Sequence, residues 1–115
     1  GHLSVQLCGI VMRTDALRKD GGFVNDWPYA GDTAMWGRLL MSGRAGLVNT
    51  SCGTFAWHNE NATSHFSIDL RLDADRQFVD TIDAAAERYV HDPKVRARVK
   101  RQARRYVARD VVAIL

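Results

Sequence analysis

Residues 22–58 read GFVNDWPYAGDTAMWGRLLMSGRAGLVNTSCGTFAWH, and this stretch decides both the fold class and where chemistry is sought. Val24 to Gly31 is rich in Asn, Asp, Pro and Gly, residues that turn the backbone, and it carries the large rings of Trp27 and Tyr29. It reads as an aromatic loop. From Asp32 or Thr33 the pattern becomes helical, with Met35, Trp36, Leu39 and Leu40 available to one broad face, and Ser42-Gly43 and Gly46 stop it. Ala45 to Trp57 returns to strand character through Leu47-Val48 and Thr54-Phe55-Ala56-Trp57, with Asn49 to Gly53 as a break between them. His58 to Ser64 is polar.

Working outward, Val5 to Met12 is a mostly apolar run of strand length. Thr14 can cap a short helix, Asp15 to Asp20, that ends in Gly21-Gly22. Downstream, Asp73 can cap a helix in which Phe78, Ile82, Ala85, Ala86, Tyr89 and Val90 recur at three and four residues. Asp92-Pro93 ends that helix and starts a final one, striped by Val95, Val99, Ala103, Tyr106, Val107, Val111 and Ile114. The expected fold class is therefore α/β: short strands with intervening helices over residues 3–70, followed by two helices in a basic extension, 71–115.

A chain of 115 residues has room for one ordinary domain, or for a substantial piece of a larger one. It is 46% hydrophobic and 25% charged, the balance of a folded protein rather than a disordered tail. No apolar run approaches the roughly 20 residues that span a bilayer, and no secretory signal opens the chain. Gly1-His2 has the form of a remnant left by tag removal. A cytoplasmic location follows as the expectation, at or near the cytoplasmic face of a membrane. Cys8 and Cys52 lack the C-x-x-C spacing of a zinc site and read as reduced, buried thiols. Residues 1–70 hold five Lys/Arg and six Asp/Glu, whereas residues 71–115 hold eleven and seven, so the net charge of +3 comes from the helical part.

Among candidate chemical groups, Asp32 stands first. It lies behind a Gly-rich aromatic loop and at the front of a helix, where the positive helix end suits a carboxylate that accepts a proton from an incoming hydroxyl. An ordinary helix cap shared with Thr33 is the competing reading. Trp27, Tyr29 and Trp36 can stack on a ring or a sugar face, although a tryptophan inside a helix also serves as core. Arg38 can pair with Asp32, with a ligand anion, or in a solvent-facing or structural salt bridge. His58, near Glu60, can reach a metal or a phosphate at a strand end or simply make a structural hydrogen bond. His65 and His91 read as surface residues. The basic final helix suits an anionic membrane surface or a solvated face, and lacks a motif for nucleic acid.

Three stretches taken in order, VQLCGIVMRTDALRKDGGF at 5–23, AGDTAMWGRLLMSGRAGLVN at 30–49 and FAWHNENATS at 55–64, resemble the C-terminal part of a family 2 inverting glycosyltransferase catalytic domain. Members of that family place Gly-Gly-Phe after a strand and a short helix. An acidic residue then opens a helix of the kind D-x-x-x-W-x-R-L, and a later strand leads to Arg-x-His or a similar pair. The resemblance spans roughly residues 6–67 and implies a partial GT-A-like fold.

The same resemblance implies roles. Asp32 falls on the general base that deprotonates the acceptor hydroxyl. Gly22 and Phe23 fall on the bend lining the acceptor side, with Trp36 and Arg38 on the helix behind the base and Trp27 and Tyr29 in the acceptor loop. His58 falls near the divalent ion or the leaving diphosphate, although Trp57 stands where Arg is common. The family's nucleotide-binding half, with its acidic D-x-D-like motif for Mg²⁺ or Mn²⁺, has no counterpart before Val5, so the chain is expected to be an inactive portion of a longer enzyme holding no metal of its own. Its partners would be a nucleotide-sugar donor and a saccharide or lipid-linked acceptor, as in polysaccharide biosynthesis. Strands cut from their neighbours would expose edges, and a dimer is one expected way of covering them. The contrasting expectation is a non-enzymatic interaction module that binds an anionic partner, or another copy of the chain, through the C-terminal helices.

Overall fold

The computed structural model describes residues 7–23, 31–56, 58 and 67–114. Among these residues the elements are a 3-10 turn, Leu7–Gly9, and the helices α1 (Thr14–Lys19), α2 (Gly31–Ser42), α3 (Ile68–Tyr89) and α4 (Pro93–Ile114). No strand occurs among the described residues, which corrects the α/β expectation. The apolar run at 5–12 forms the 3-10 turn and then coil where it is described, and residues 43–56 lie in no helix or strand. The physical reason is that a strand obtains its backbone hydrogen bonds only from a neighbouring strand, whereas a helix makes them internally. Leu47 and Val48 show the consequence: they remain 74% and 71% exposed, with no sheet face to bury them.

The helices form where the three-and-four spacing lies, with the starts of α1, α2 and α3 moved earlier; α2 opens at Gly31 rather than at Asp32 or Thr33. The first helix begins at Thr14 itself; Arg13 occupies the cap position and pairs with Asp15. The third begins at Ile68 rather than near Asp73, because the Ser67 hydroxyl accepts the Leu70 N–H and satisfies an orphan donor of the first turn. Asp73 is consequently an exposed residue within the helix. At the start of α4, one Asp92 carboxylate oxygen accepts the N–H groups of Lys94 and Val95, and Pro93 occupies the first helical position, where a missing N–H is harmless.

Helix α3 packs against both α2 and α4. Ala34 of α2, Phe78 and Ile82 of α3 and Ala103 of α4 make the buried cluster, with Met41, Val79, Val99 and Val107 packed around it. The Phe78 ring meets Tyr106 of α4 at 5.5 Å between centroids. The broad face read for α2 is narrower than expected: Ala34 and Met35 are fully buried, but Leu40 points outward. The close approach of α2 to α3 depends on Gly37, where an added Cβ would collide with the tip of Ile82.

Ion pairs flank the α3–α4 contact. Glu87 receives Lys100 at 2.6 Å and Arg96 at 3.1 Å, while both terminal nitrogens of Arg104 reach Asp83. The hydrogen bond from Lys100, then the charges of Arg96 and Lys100, hold the Glu87 carboxyl below its ordinary value of 4.5. The hydrogen bond and charge of Asp83 likewise raise the Arg104 guanidinium. Elsewhere, Cys8 and Cys52 are free and exposed rather than buried, although their segments touch, since a Cβ on Gly53 would lie 2.7 Å from the Cys8 carbonyl oxygen.

Two outcomes test this packing. Gly37→Val is expected to lower unfolding free energy in urea titration by about 1–3 kcal/mol, because Ile82 is buried and its tip has little room to move. A carboxyl depressed in the folded state contributes stability that is present above its ordinary value and lost as pH falls through the folded one. The midpoint of thermal unfolding should therefore drop as pH falls below 4.5, and Glu87→Gln should flatten part of that drop.

Candidate functional site

The turn after α1 is built by two glycines in the left-handed region, Gly21 at φ +94° and Gly22 at φ +71°. The Gly22 N–H donates to the Leu17 carbonyl at 2.9 Å and the Gly21 N–H to that of Arg18 at 3.2 Å. This pair of bonds closes a helix C-terminus and needs residues that adopt positive φ without a Cβ clash. The Gly-Gly pair thus has a local backbone reason, and it delivers Phe23 to the surface with its ring about half exposed.

Arg38 ties this turn to α2. Its Nε donates to Asp20 at 2.8 Å and a terminal nitrogen donates to the Gly22 carbonyl at 2.8 Å. The side chains of Arg38 and Asp20 are only 16% and 6% exposed, so the charges satisfy one another out of water. Of the partners open to Arg38 from sequence, the structure selects the structural carboxylate of Asp20, eighteen positions earlier. Asp20 was not singled out in the sequence; a charged residue directly before Gly-Gly was the available signal.

Asp32 lies in the first turn of α2, as expected, and is half-buried. One of its oxygens accepts the Thr33 N–H at 2.7 Å and the Thr33 hydroxyl at 3.2 Å. Asp32 thus bonds to its immediate neighbour from within the helix, rather than to the second or third N–H as a helix cap would, and the other carboxylate oxygen has no hydrogen bond among the described residues. Trp36 follows at i+4, roughly one turn along the same side of the helix, whereas Arg38 lies about 120° around the axis. Trp36 is half-buried, and its indole N–H is buried with no acceptor among the described residues. The helix therefore groups Asp32 with Trp36, and Arg38 with the Gly22 turn.

The remaining candidates do not join this group in the described structure. His58 is exposed, in coil. Trp27 and Tyr29 lie outside the described residues, as does Glu60. No three His, Cys, Asp or Glu side chains gather to hold a metal among the described residues, and His58 alone does not fit a divalent-ion site.

Two grooves were not anticipated. One, of about 300 Å³, lies beside the Asp20–Arg38 pair against α3, where Arg88 sits 5.1 Å from the centre of the Tyr89 ring. The other is shallow and open to solvent, lined on α4 by Arg105, Ala108, Arg109 and Val112. The first requires α3 to fold onto α2, a tertiary event with no local signature. The second follows from residues at helical spacing and was legible in principle.

Searches against protein-family models, curated proteins and solved structures returned no match.

The Arg38 anchor has a direct test. Arg38→Met leaves the Asp20 carboxylate buried without its cation, and removing one member of such a pair costs about 3–5 kcal/mol. Hydrogen exchange at the Gly21 and Gly22 amides should accelerate relative to the α3 core in this variant.

Proposed function

We propose that this chain supplies the acceptor side of an inverting glycosyltransferase, with Asp32 as the general base. The observation that carries the reading is the placement of Asp32: a half-buried carboxylate in the first turn of α2, with one oxygen steadied by Thr33 and the other without a hydrogen bond among the described residues. Its helix is the one to which Arg38 fastens the Gly21-Gly22-Phe23 turn. Acceptor surface and base would then be held by one rigid element, which limits the misplacement that costs rate in a positioned reaction.

In the proposed step the free Asp32 oxygen takes the acceptor hydroxyl proton as that oxygen bonds to the anomeric carbon of a nucleotide sugar. The bond from the anomeric carbon to the diphosphate breaks, the nucleoside diphosphate leaves with its electron pair, and the configuration inverts. Trp36, half-buried on the same side of α2 as Asp32, is the aromatic residue assigned to stack on the sugar. The donor is taken to bind in a further part of the enzyme. The acceptor class is a saccharide or a lipid-linked saccharide.

The test is nucleoside diphosphate release by the longer polypeptide containing this chain, offered a panel of nucleotide sugars and saccharide acceptors with Mg²⁺ or Mn²⁺ in the buffer. Asp32→Asn keeps the shape and removes the base, so turnover is expected to fall by about 10²–10⁴-fold while the circular dichroism spectrum is unchanged. Undiminished release by Asp32→Asn would remove Asp32 from the chemistry. Absence of release with every donor from a folded protein would leave the charged α3–α4 hairpin as the functional part of the chain.

A further inference from the structure

The cations of α4 divide into two sets. Arg96, Lys100 and Arg104 reach across to Glu87 and Asp83 of α3. Lys94, Arg98, Arg101 and Arg105 do not: all four are exposed, and none has an ion-pair partner among the described residues. Their spacing of four, three and four residues puts them within roughly 40° of the direction opposite the buried Ala103. They form a line about 16 Å long on the side of α4 that faces away from α3. Residues 94–109 contain no acidic side chain to neutralise it. Like charges at these spacings disfavour an isolated helix, so folding alone gives no reason for the line.

The line continues into apolar surface. Ala108 and Val112 fall on the same side of the helix as the line, and Val112 is 73% exposed beside Arg105. A row of cations ending in exposed aliphatic surface suits a negatively charged bilayer, where the guanidinium and ammonium groups meet lipid phosphates and carboxylates while the aliphatic end enters the acyl boundary. A nucleic acid is a poorer match. The aromatic residue of α4, Tyr106, is turned toward Phe78 of α3, so the outer face presents no ring for base stacking, and no Asn or Gln stands in the line to read base edges. No described helix is long and apolar enough to cross a membrane, so the contact would be peripheral.

We propose that the outer face of α4, formed by Lys94, Arg98, Arg101, Arg105 and Val112, is a docking surface for an anionic lipid bilayer. This goes beyond sugar transfer and stands independently of Asp32. The experiment is co-sedimentation of the chain with phosphatidylcholine vesicles and with vesicles of mixed phosphatidylcholine and phosphatidylserine, at two salt concentrations. Binding is expected to the mixed vesicles alone and to weaken with salt. Arg101→Gln with Arg105→Gln should reduce the partition coefficient about 30-fold. Arg96→Gln with Lys100→Gln removes the same number of charges from the α3 side and should reduce it far less, which separates a specific face from net charge. Val112→Ser should weaken binding further at high salt. Circular dichroism of each variant checks that the helices persist. Equal binding to both vesicle types, or equal losses from the two double variants, would overturn the proposal. Tighter binding to duplex or single-stranded DNA than to mixed vesicles at matched salt, lost in the Arg101/Arg105 variant, would overturn the lipid assignment in favour of a polyanion.

Discussion

The structure depends on how closely α3 can approach its two neighbours. Burying the Phe78 and Ile82 side chains requires small residues opposite them, and Ala34, Gly37 and Ala103 supply those positions. At Gly37 a larger residue would displace the tip of Ile82 from its place in the cluster. Because the cluster is small, the fold has little redundancy: every described helix pair that packs extensively includes α3. The two 22-residue helices can each make their own backbone hydrogen bonds, but neither can bury its stripe alone.

Charge then refines what apolar contact begins. The α3 carboxylates of Asp83 and Glu87 draw in those α4 cations that flank the buried stripe, and leave those on the far side to solvent or to a partner. Exposed pairs of this kind contribute little stability individually. Their arrangement nevertheless disfavours alternative rotations of α4, since turning the outer cations inward would bury charge against Phe78 and Ile82 of α3. The same division that orients α4 therefore defines its outer face.

The candidate site has a different architecture. Asp20 and Arg38 are far apart in sequence and almost completely withdrawn from water, and their contact makes the Gly-Gly turn an appendage of α2. Part of this was legible beforehand. The turn, the α2 helix and the position of Asp32 in its first turn rest on local rules and appear close to where those rules put them, although α2 opens at Gly31 and Asp32 does not cap it. The partner of Arg38 was left among three choices, since side-chain pairing across eighteen residues has no local signal. Whether Trp27 and Tyr29 meet Asp32 lies outside the described residues, and His58, placed near the chemistry by resemblance to glycosyltransferases, is simply exposed.

What the sequence by itself determined is the set of segments whose stabilising contacts lie within three to five residues. The two long C-terminal helices, the Gly21-Gly22 terminator and the Asp92-Pro93 break all belong to it. Strand-like composition at 5–12 and 45–57 misled for the complementary reason: Val, Leu, Thr and Phe favour extended backbone, but only a neighbouring strand makes that backbone a sheet. The tertiary structure alone decided that no described segment pairs in this way, which small residues let α3 sit between α2 and α4, and which cations of α4 are neutralised. Those outcomes depend on distances between residues remote in the chain, and periodicity does not encode such distances.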